Sequence, residues 1–188
     1  MMKDTKKSRV EERFDELYKS SPKLRVSVAE SEGDIKLLKE IFLINKTLDI
    51  LDTSEEESWN YLHRANLLNP SPKETIQFYI EQGVPVNVQD YYGMTPLHYA
   101  MSVQNVEAAK VLLEAGADPN IPNEKKLTPL AYINGVPERL DLLKLMLDKG
   151  GDVNIDTGSG TILEKIKKYR ADEEEFVPVI EMMEQYAK

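Results

Sequence analysis

The sequence predicts an all-α solenoid of about four to five stacked helix–turn–helix units, on three observations. A column of threonines, Thr95, Thr128 and Thr161, repeats every 33 residues, and Leu97, Leu130 and Leu163 follow in step. An apolar block then precedes a glycine at constant distance: Ile76/Phe78/Tyr79/Ile80 before Gly83, Ala109/Val111/Leu112/Leu113 before Gly116, Leu143/Leu145/Met146/Leu147 before Gly150. Each block reads as a helix buried on several sides. The helix ends are also written into the chain, because Thr95 suits an N-cap, Pro96 the first helical position, and Gly116 a left-handed C-cap. A unit this short cannot bury its own core, so its neighbours must complete the apolar face and the chain must stack. The functional question moves from a pocket to a surface.

Taken in order, residues 1–22 read as a tail and a short amphipathic helix, with Val10, Phe14, Leu17 and Tyr18 on one face. The first nine residues are expected to be disordered, with Lys3, Lys6, Lys7 and Arg9 solubilising a loose end. Residues 23–188 form the repeat domain, opening with a divergent N-terminal cap at 23–55 that turns at Gly33-Asp34. The first repeat, 56–89, has Asn60 in the capping slot, Tyr61 in the proline slot, and a turn lengthened by Asn69-Pro70-Ser71-Pro72. The second, 90–122, is the clearest copy. The third, 123–155, carries Thr128 and Pro129 but Ala131 in the histidine slot and Lys126 in the turn-glycine slot, which weakens its hairpin without abolishing it. A longer turn around Val136-Pro137-Glu138 places Gly150 one residue late. The C-terminal cap, 156–188, keeps only Thr161 and Leu163, and its Asp172-Glu173-Glu174-Glu175 run with the late Pro178 suits a solvated unit. Helices are expected at 35–44, 73–82, 96–101, 106–115, 129–134, 140–149 and 161–169.

The Thr95-Pro96-Leu97-His98-Tyr99-Ala100 phrase, the Leu112-Leu113-Glu114-Ala115-Gly116-Ala117-Asp118-Pro119-Asn120 phrase and the 33-residue period together resemble ankyrin repeats, over roughly residues 59–188. The resemblance implies short β-hairpin fingers and a concave binding face. It also implies that His63 and His98, which share the Leu-His-x-Ala slot, are structural and hydrogen-bond between neighbouring turns. The same structural motif takes in Thr95, Pro96, Thr128, Pro129, Gly83, Gly116 and Gly150.

Composition narrows the function. With 188 residues, 41% of them hydrophobic, the chain can bury one continuous core. It has no cysteine, hence no disulfide framework, redox pair or thiolate metal site. No apolar run reaches the roughly 20 residues that span a bilayer, and the charged start lacks the apolar segment of a secretory signal, so a cytoplasmic location and no membrane partner are expected. A net charge of −9 argues against nucleic acid. Lys165, Lys167, Lys168 and Arg170 form a basic cluster that reads as the solvated face of a capping helix. The chain's two histidines both fall in the structural slot, which leaves no catalytic residue, no metal site and no cofactor to assign. Gly158-Ser159-Gly160 is too short for a phosphate loop.

The candidate partner-binding residues are Trp59, Met94 and Leu127, which share one column just before the inner helices, and the finger tips Glu56-Glu57, Tyr91-Tyr92 and Glu124-Lys125. An apolar strip in register marks a partner site when it is exposed, and tyrosine is common among interface hot spots. Ser102 and Val103 extend this surface, as do Gly135 and Val136 in the next repeat. The function expected is a protein–protein interaction module, monomeric alone, that binds another protein through the concave face. The alternative is a dedicated inhibitor, since ankyrin-type immunity proteins resemble this chain in size and organisation; an enzyme or small-ligand protein is the remote one.

Overall fold

The computed structural model describes residues 9–67 and 70–187, so Lys3, Lys6, Lys7 and Asn69, and the expectation of a disordered start at 1–8, lie outside the described residues. Ten α-helices follow one another there: α1 (Arg9–Ser20), α2 (Pro22–Glu32), α3 (Ile35–Lys39, prolonged by a π turn at Glu40–Ile44), α4 (Tyr61–Arg64), α5 (Lys73–Glu81), α6 (Pro96–Ser102), α7 (Val106–Glu114), α8 (Leu140–Asp148), α9 (Ile162–Arg170) and α10 (Val177–Tyr186). A 3₁₀ segment, Pro129–Gly135, stands between α7 and α8, and a shorter one, Glu174–Phe176, leads into α10. They form two parallel rows. The inner row runs α4, α6, the 3₁₀ segment, α9; the outer row runs α3, α5, α7, α8, α10. Between the rows one core extends along the stack, through Leu38, Leu62, Ile76, Leu97, Leu112, Leu130, Leu143, Ile162 and Val179, all fully buried.

Local chemistry fixes these elements. Thr95 accepts a hydrogen bond from the His98 N–H while the His98 ring accepts one from the Thr95 N–H, a reciprocal cap that Asn60 and His63 reproduce on α4 and Thr161 and Glu164 on α9. At the other ends Gly83, Gly116 and Gly150 adopt φ of 86°, 90° and 94°, the left-handed region in which a side chain is strained. The late glycine of the third repeat has its origin in the inter-helix turn: α7 is capped by Asn105 and α8 follows Arg139, a spacing one residue longer than the period.

The fingers are turns rather than strands; the described residues hold no named strand, only an isolated bridge between Asp156 and Thr161. Two backbone bonds close each of the two central fingers: Asp90 N–H to the Met94 carbonyl at 2.9 Å and Gly93 N–H to the Asp90 carbonyl at 3.0 Å, then Asn123 N–H to the Leu127 carbonyl at 2.9 Å and Lys126 N–H to the Asn123 carbonyl at 2.8 Å. Lys126 does not prevent closure: it takes φ 61° where Gly93 takes 70°, and the Asn123 side chain braces the turn by accepting from the Lys125 and Leu127 N–H groups.

Three expectations need correction. The inner segment of the third repeat is 3₁₀, not α, because Ala131 supplies no imidazole: Thr128 makes no cap hydrogen bond and its buried hydroxyl has no partner. A cleft of about 220 Å³ lined by Leu127, Ala131, Tyr132 and Ile162 opens at that position. The C-terminal cap is not merely solvated, since Pro178 stands in the first turn of α10, and Phe176, Val179 and Met183 are buried against the stack. Arg9 already belongs to a helix, α1, which meets α2 at Ser21 and leaves Phe14 and Leu17 about half exposed.

Candidate functional site

The inner row and the fingers bound a groove whose geometry begins with Asp90. This carboxylate, 7% exposed, closes its own finger by accepting from the Tyr92 and Met94 N–H groups at 2.9 and 2.8 Å. Its other oxygen accepts from the Trp59 indole at 2.8 Å and the Tyr99 hydroxyl at 2.6 Å. One side chain therefore ties the first repeat, the finger and the inner helix α6 together. Burial, with the Asp90 carboxylate beside it, pushes the Tyr99 phenol well above its usual range.

Adjacent fingers are joined by backbone: Tyr91 N–H donates to the Glu57 carbonyl at 2.9 Å, and Glu124 N–H to the Tyr92 carbonyl at 3.1 Å. The row is consequently pre-organised, and a partner meeting it would freeze little backbone. Tyr91 and Tyr92 project from the central finger, 69% and 52% exposed, with rings edge to face at 5.5 Å. Glu56, Glu124 and Lys125 are exposed beside them, and Glu57 is half-buried with its carboxylate accepting from Ser54.

The column of Trp59, Met94 and Leu127 lies half-buried beneath the fingers rather than forming an open strip. The histidines explain this. The Thr95 N–H points at His98 Nδ1 at 3.0 Å, so that nitrogen must be the acceptor and Nε2 carries the proton that is donated to the Leu127 carbonyl at 3.0 Å. His63 makes the matching bond to the Met94 carbonyl at 3.1 Å. Each ring thus pulls the column of the next repeat down onto its own. Burial holds both rings neutral, lowering His63 and bringing His98 to about 4.

Ser102 is exposed and Val103 half-buried, but both stand at the far end of α6 from the fingers; Val103 lines a separate depression with Pro70, Pro72 and Gln104. Gly135 is exposed, whereas Val136 is 4% exposed and belongs to the core, so it does not extend the surface.

Sequence reasoning overlooked the floor of the groove. The residue after the histidine slot recurs as Arg64, Tyr99, Tyr132 and Lys165, four inner-row side chains in register. Tyr92, Met94, Tyr99, Asn123, Lys125 and Tyr132 surround a cleft of about 280 Å³ between the central fingers. The spacing of 33 between Tyr99, Tyr132 and Lys165 was the available signal. It was masked because this position carries no repeat consensus and each residue alone is unremarkable.

The described residues contain no group of three His, Cys, Asp or Glu side chains able to hold a metal ion, and no helix long and apolar enough to cross a membrane. The basic residues of α9 are largely engaged: Lys167 pairs with Glu184 and Arg170 with Glu173.

Comparison with known proteins agrees with the repeat geometry. The family model for ankyrin repeats (three copies) matches residues 26–123 and 62–157. The chain is 32% identical over 125 residues to the ankyrin repeat, SAM and basic leucine zipper domain-containing protein 1 of Otolemur garnettii, covering 54% of this chain and 26% of that protein. It is 31% identical over 108 residues to the ankyrin repeat and SOCS box protein 3 of Homo sapiens, covering 56% and 20%. An ankyrin repeat protein of Rickettsia bellii is 37% identical over 83 residues, covering 42% and 24%. The match thus spans about a quarter of the length of these relatives or less.

Proposed function

We propose that this chain, which belongs to the ankyrin-repeat family, binds another protein through its groove and fingers and catalyses nothing. Ankyrin repeats are general protein–protein interaction modules, and the family is generally non-catalytic. The observation that carries the reading is the central finger: two tyrosines more than half exposed, on a backbone locked to both neighbouring fingers. Large aromatic area on a rigid support is what interface hot spots are made of, because few torsions are frozen on binding. Met94, Leu127, Glu124 and Lys125 would supply the rim of the same contact, with Trp59 under it; Ser102 and Val103 would be peripheral.

The test is to capture partners on the tagged chain and to map the purified complex by hydrogen exchange. Slowed exchange confined to the fingers, at 90–94 and 123–127, supports the reading, and slowed exchange confined to α5, α7 and α8 refutes it. A single partner held one to one would favour the dedicated inhibitor, and several partners competing for the face would favour an adaptor.

A further inference from the structure

The C-terminal end of the groove carries a recess that is filled in the repeats before it. In the first two repeats an imidazole occupies the space between one inner segment and the next: the His63 ring meets the Tyr99 ring edge to face at 5.7 Å, and His98 meets Tyr132 in the same way at 6.1 Å. Ala131 leaves the corresponding space of the third repeat open, as the cleft of about 220 Å³ walled by Leu127, Ala131, Tyr132 and Ile162. Its backbone frame is complete. The carbonyl that a third imidazole would bridge to, that of Gly160, already accepts from the Thr157 N–H at 3.1 Å and the Thr157 hydroxyl at 2.9 Å. Tyr132 and Lys165, two side chains of the groove floor, line the cleft, so it faces the groove.

The rim of this apolar recess is basic. Lys165 is half-buried, and its ammonium makes one hydrogen bond among the described residues, to the Thr157 carbonyl at 3.4 Å. The exposed Lys126 lays its stem along Gly158 of the last finger, Cδ standing 3.6 Å from where a Cβ would be. Neither lysine pairs with a carboxylate among the described residues. The acids at this end are turned to backbone instead: Asp156 accepts from the Gly158 and Gly160 N–H groups, and Glu164 from the Thr161 N–H. Glu124 lines the other cleft, on the far side of Tyr132. We propose that the cleft receives one leucine-sized aliphatic side chain from an extended acidic segment of the partner protein, with carboxylates two residues to either side meeting Lys126 and Lys165. The apolar walls and the volume suit a single aliphatic side chain. In an extended segment the residues two positions away turn to the same side, which brings them to the rim. The first finger, Glu55-Glu56-Glu57, and the chain's net charge of −9 repel such a segment elsewhere, so opposite charge at this end fixes its register. The inference rests on the groove being the protein-binding face.

The full chain is titrated with the capped peptide Glu-Ser-Leu-Ser-Glu, following the methyl signals of Leu127, Ala131 and Ile162 by NMR. Saturable shifts of these methyls are expected. Glu-Ser-Ala-Ser-Glu should bind about tenfold more weakly, the loss for leaving the recess empty. Gln-Ser-Leu-Ser-Gln should bind several-fold more weakly, and its deficit should shrink at high salt because the rim contacts are exposed. Ala131→His puts a ring into the recess and should remove the preference for leucine over alanine. Lys126→Gln/Lys165→Gln should remove the preference for acid over amide at unchanged melting temperature. Tyr91→Ala/Tyr92→Ala should leave all these titrations as they are, so that failure here leaves the tyrosine finger standing and failure of the finger leaves these results standing. Absence of saturable shifts in the wild-type chain, equal binding of the leucine and alanine peptides, or equal binding of the acidic and amide peptides overturns the proposal. So does a short single-stranded oligonucleotide that displaces the peptide at lower concentration, since the lysines would then serve phosphate.

Discussion

Replacing His98 by alanine should destabilise the stack strongly and remove part of its pH dependence. The ring is fully buried and bonds to two backbone groups of different repeats, the Thr95 N–H at 3.0 Å and the Leu127 carbonyl at 3.0 Å. Alanine leaves both unpaired in the core, at about 1–3 kcal/mol each, and removes an imidazole's packing, so about 3–5 kcal/mol in total is expected. The second effect has a defined sign. Since the folded His98 titrates at about 4 against an ordinary 6.5, the unfolded chain binds the proton more readily. The neutral ring therefore contributes its full stability above pH 6.5, and this is lost as pH falls from 6.5 through 4, about 3 kcal/mol in all. Urea denaturation of wild type and His98→Ala at several pH values across this window measures both. The stability difference should be largest near neutrality and shrink as pH falls. A difference under about 0.5 kcal/mol at neutral pH, or one that grows on acidification, would refute the reasoning.

Other substitutions test other parts of the account. Leu112→Ala should cost about 2–5 kcal/mol by calorimetry, because the side chain is fully buried between the rows; a negligible cost would misplace the core. Ala131→His should stabilise by about 1 kcal/mol, giving the Thr128 cap the ring it lacks and filling the adjoining cleft; destabilisation would show that the 3₁₀ segment has another cause. Lys126→Gly should stabilise by about 1 kcal/mol or less, since the left-handed strain relieved exceeds the entropy that glycine adds. Gly93→Ala should do the reverse, its new Cβ falling 3.0 Å from the Glu124 nitrogen.

The fold was legible in the sequence to the extent that each element depends on its own residues. Thr95-Pro96 and Gly116 state where helices begin and end, and the apolar blocks state which face is buried. What escaped depended on contacts between repeats. Missing the consequence of Ala131 was a failure to follow one substitution into its neighbour, because the histidine it replaces caps Thr128 as well as bridging onward. The last helix was missed because the acidic run 172–175 with Pro178 was taken to mark a solvated unit, although Phe176, Val179, Ile180 and Met183 carry the helical spacing and Pro178 stands in the first turn. In the groove, the exposed tips were readable from a turn sequence, whereas the depth of Trp59 and Met94 was not. Their half-burial comes from Asp90, His63 and the column beneath, partners that lie about 30 residues away.

The most direct test of the central claim is the affinity of the purified partner for three forms of the chain: wild type, Tyr91→Ala/Tyr92→Ala, and Gln77→Arg on the outer helix α5. Hot-spot aromatics contribute about 2 kcal/mol or more each, so the double variant, at about 4 kcal/mol, should bind several hundred-fold more weakly at unchanged melting temperature, and Gln77→Arg should bind like wild type. Unchanged affinity in the double tyrosine variant together with lost binding in Gln77→Arg would put the interface on the convex side and contradict the account.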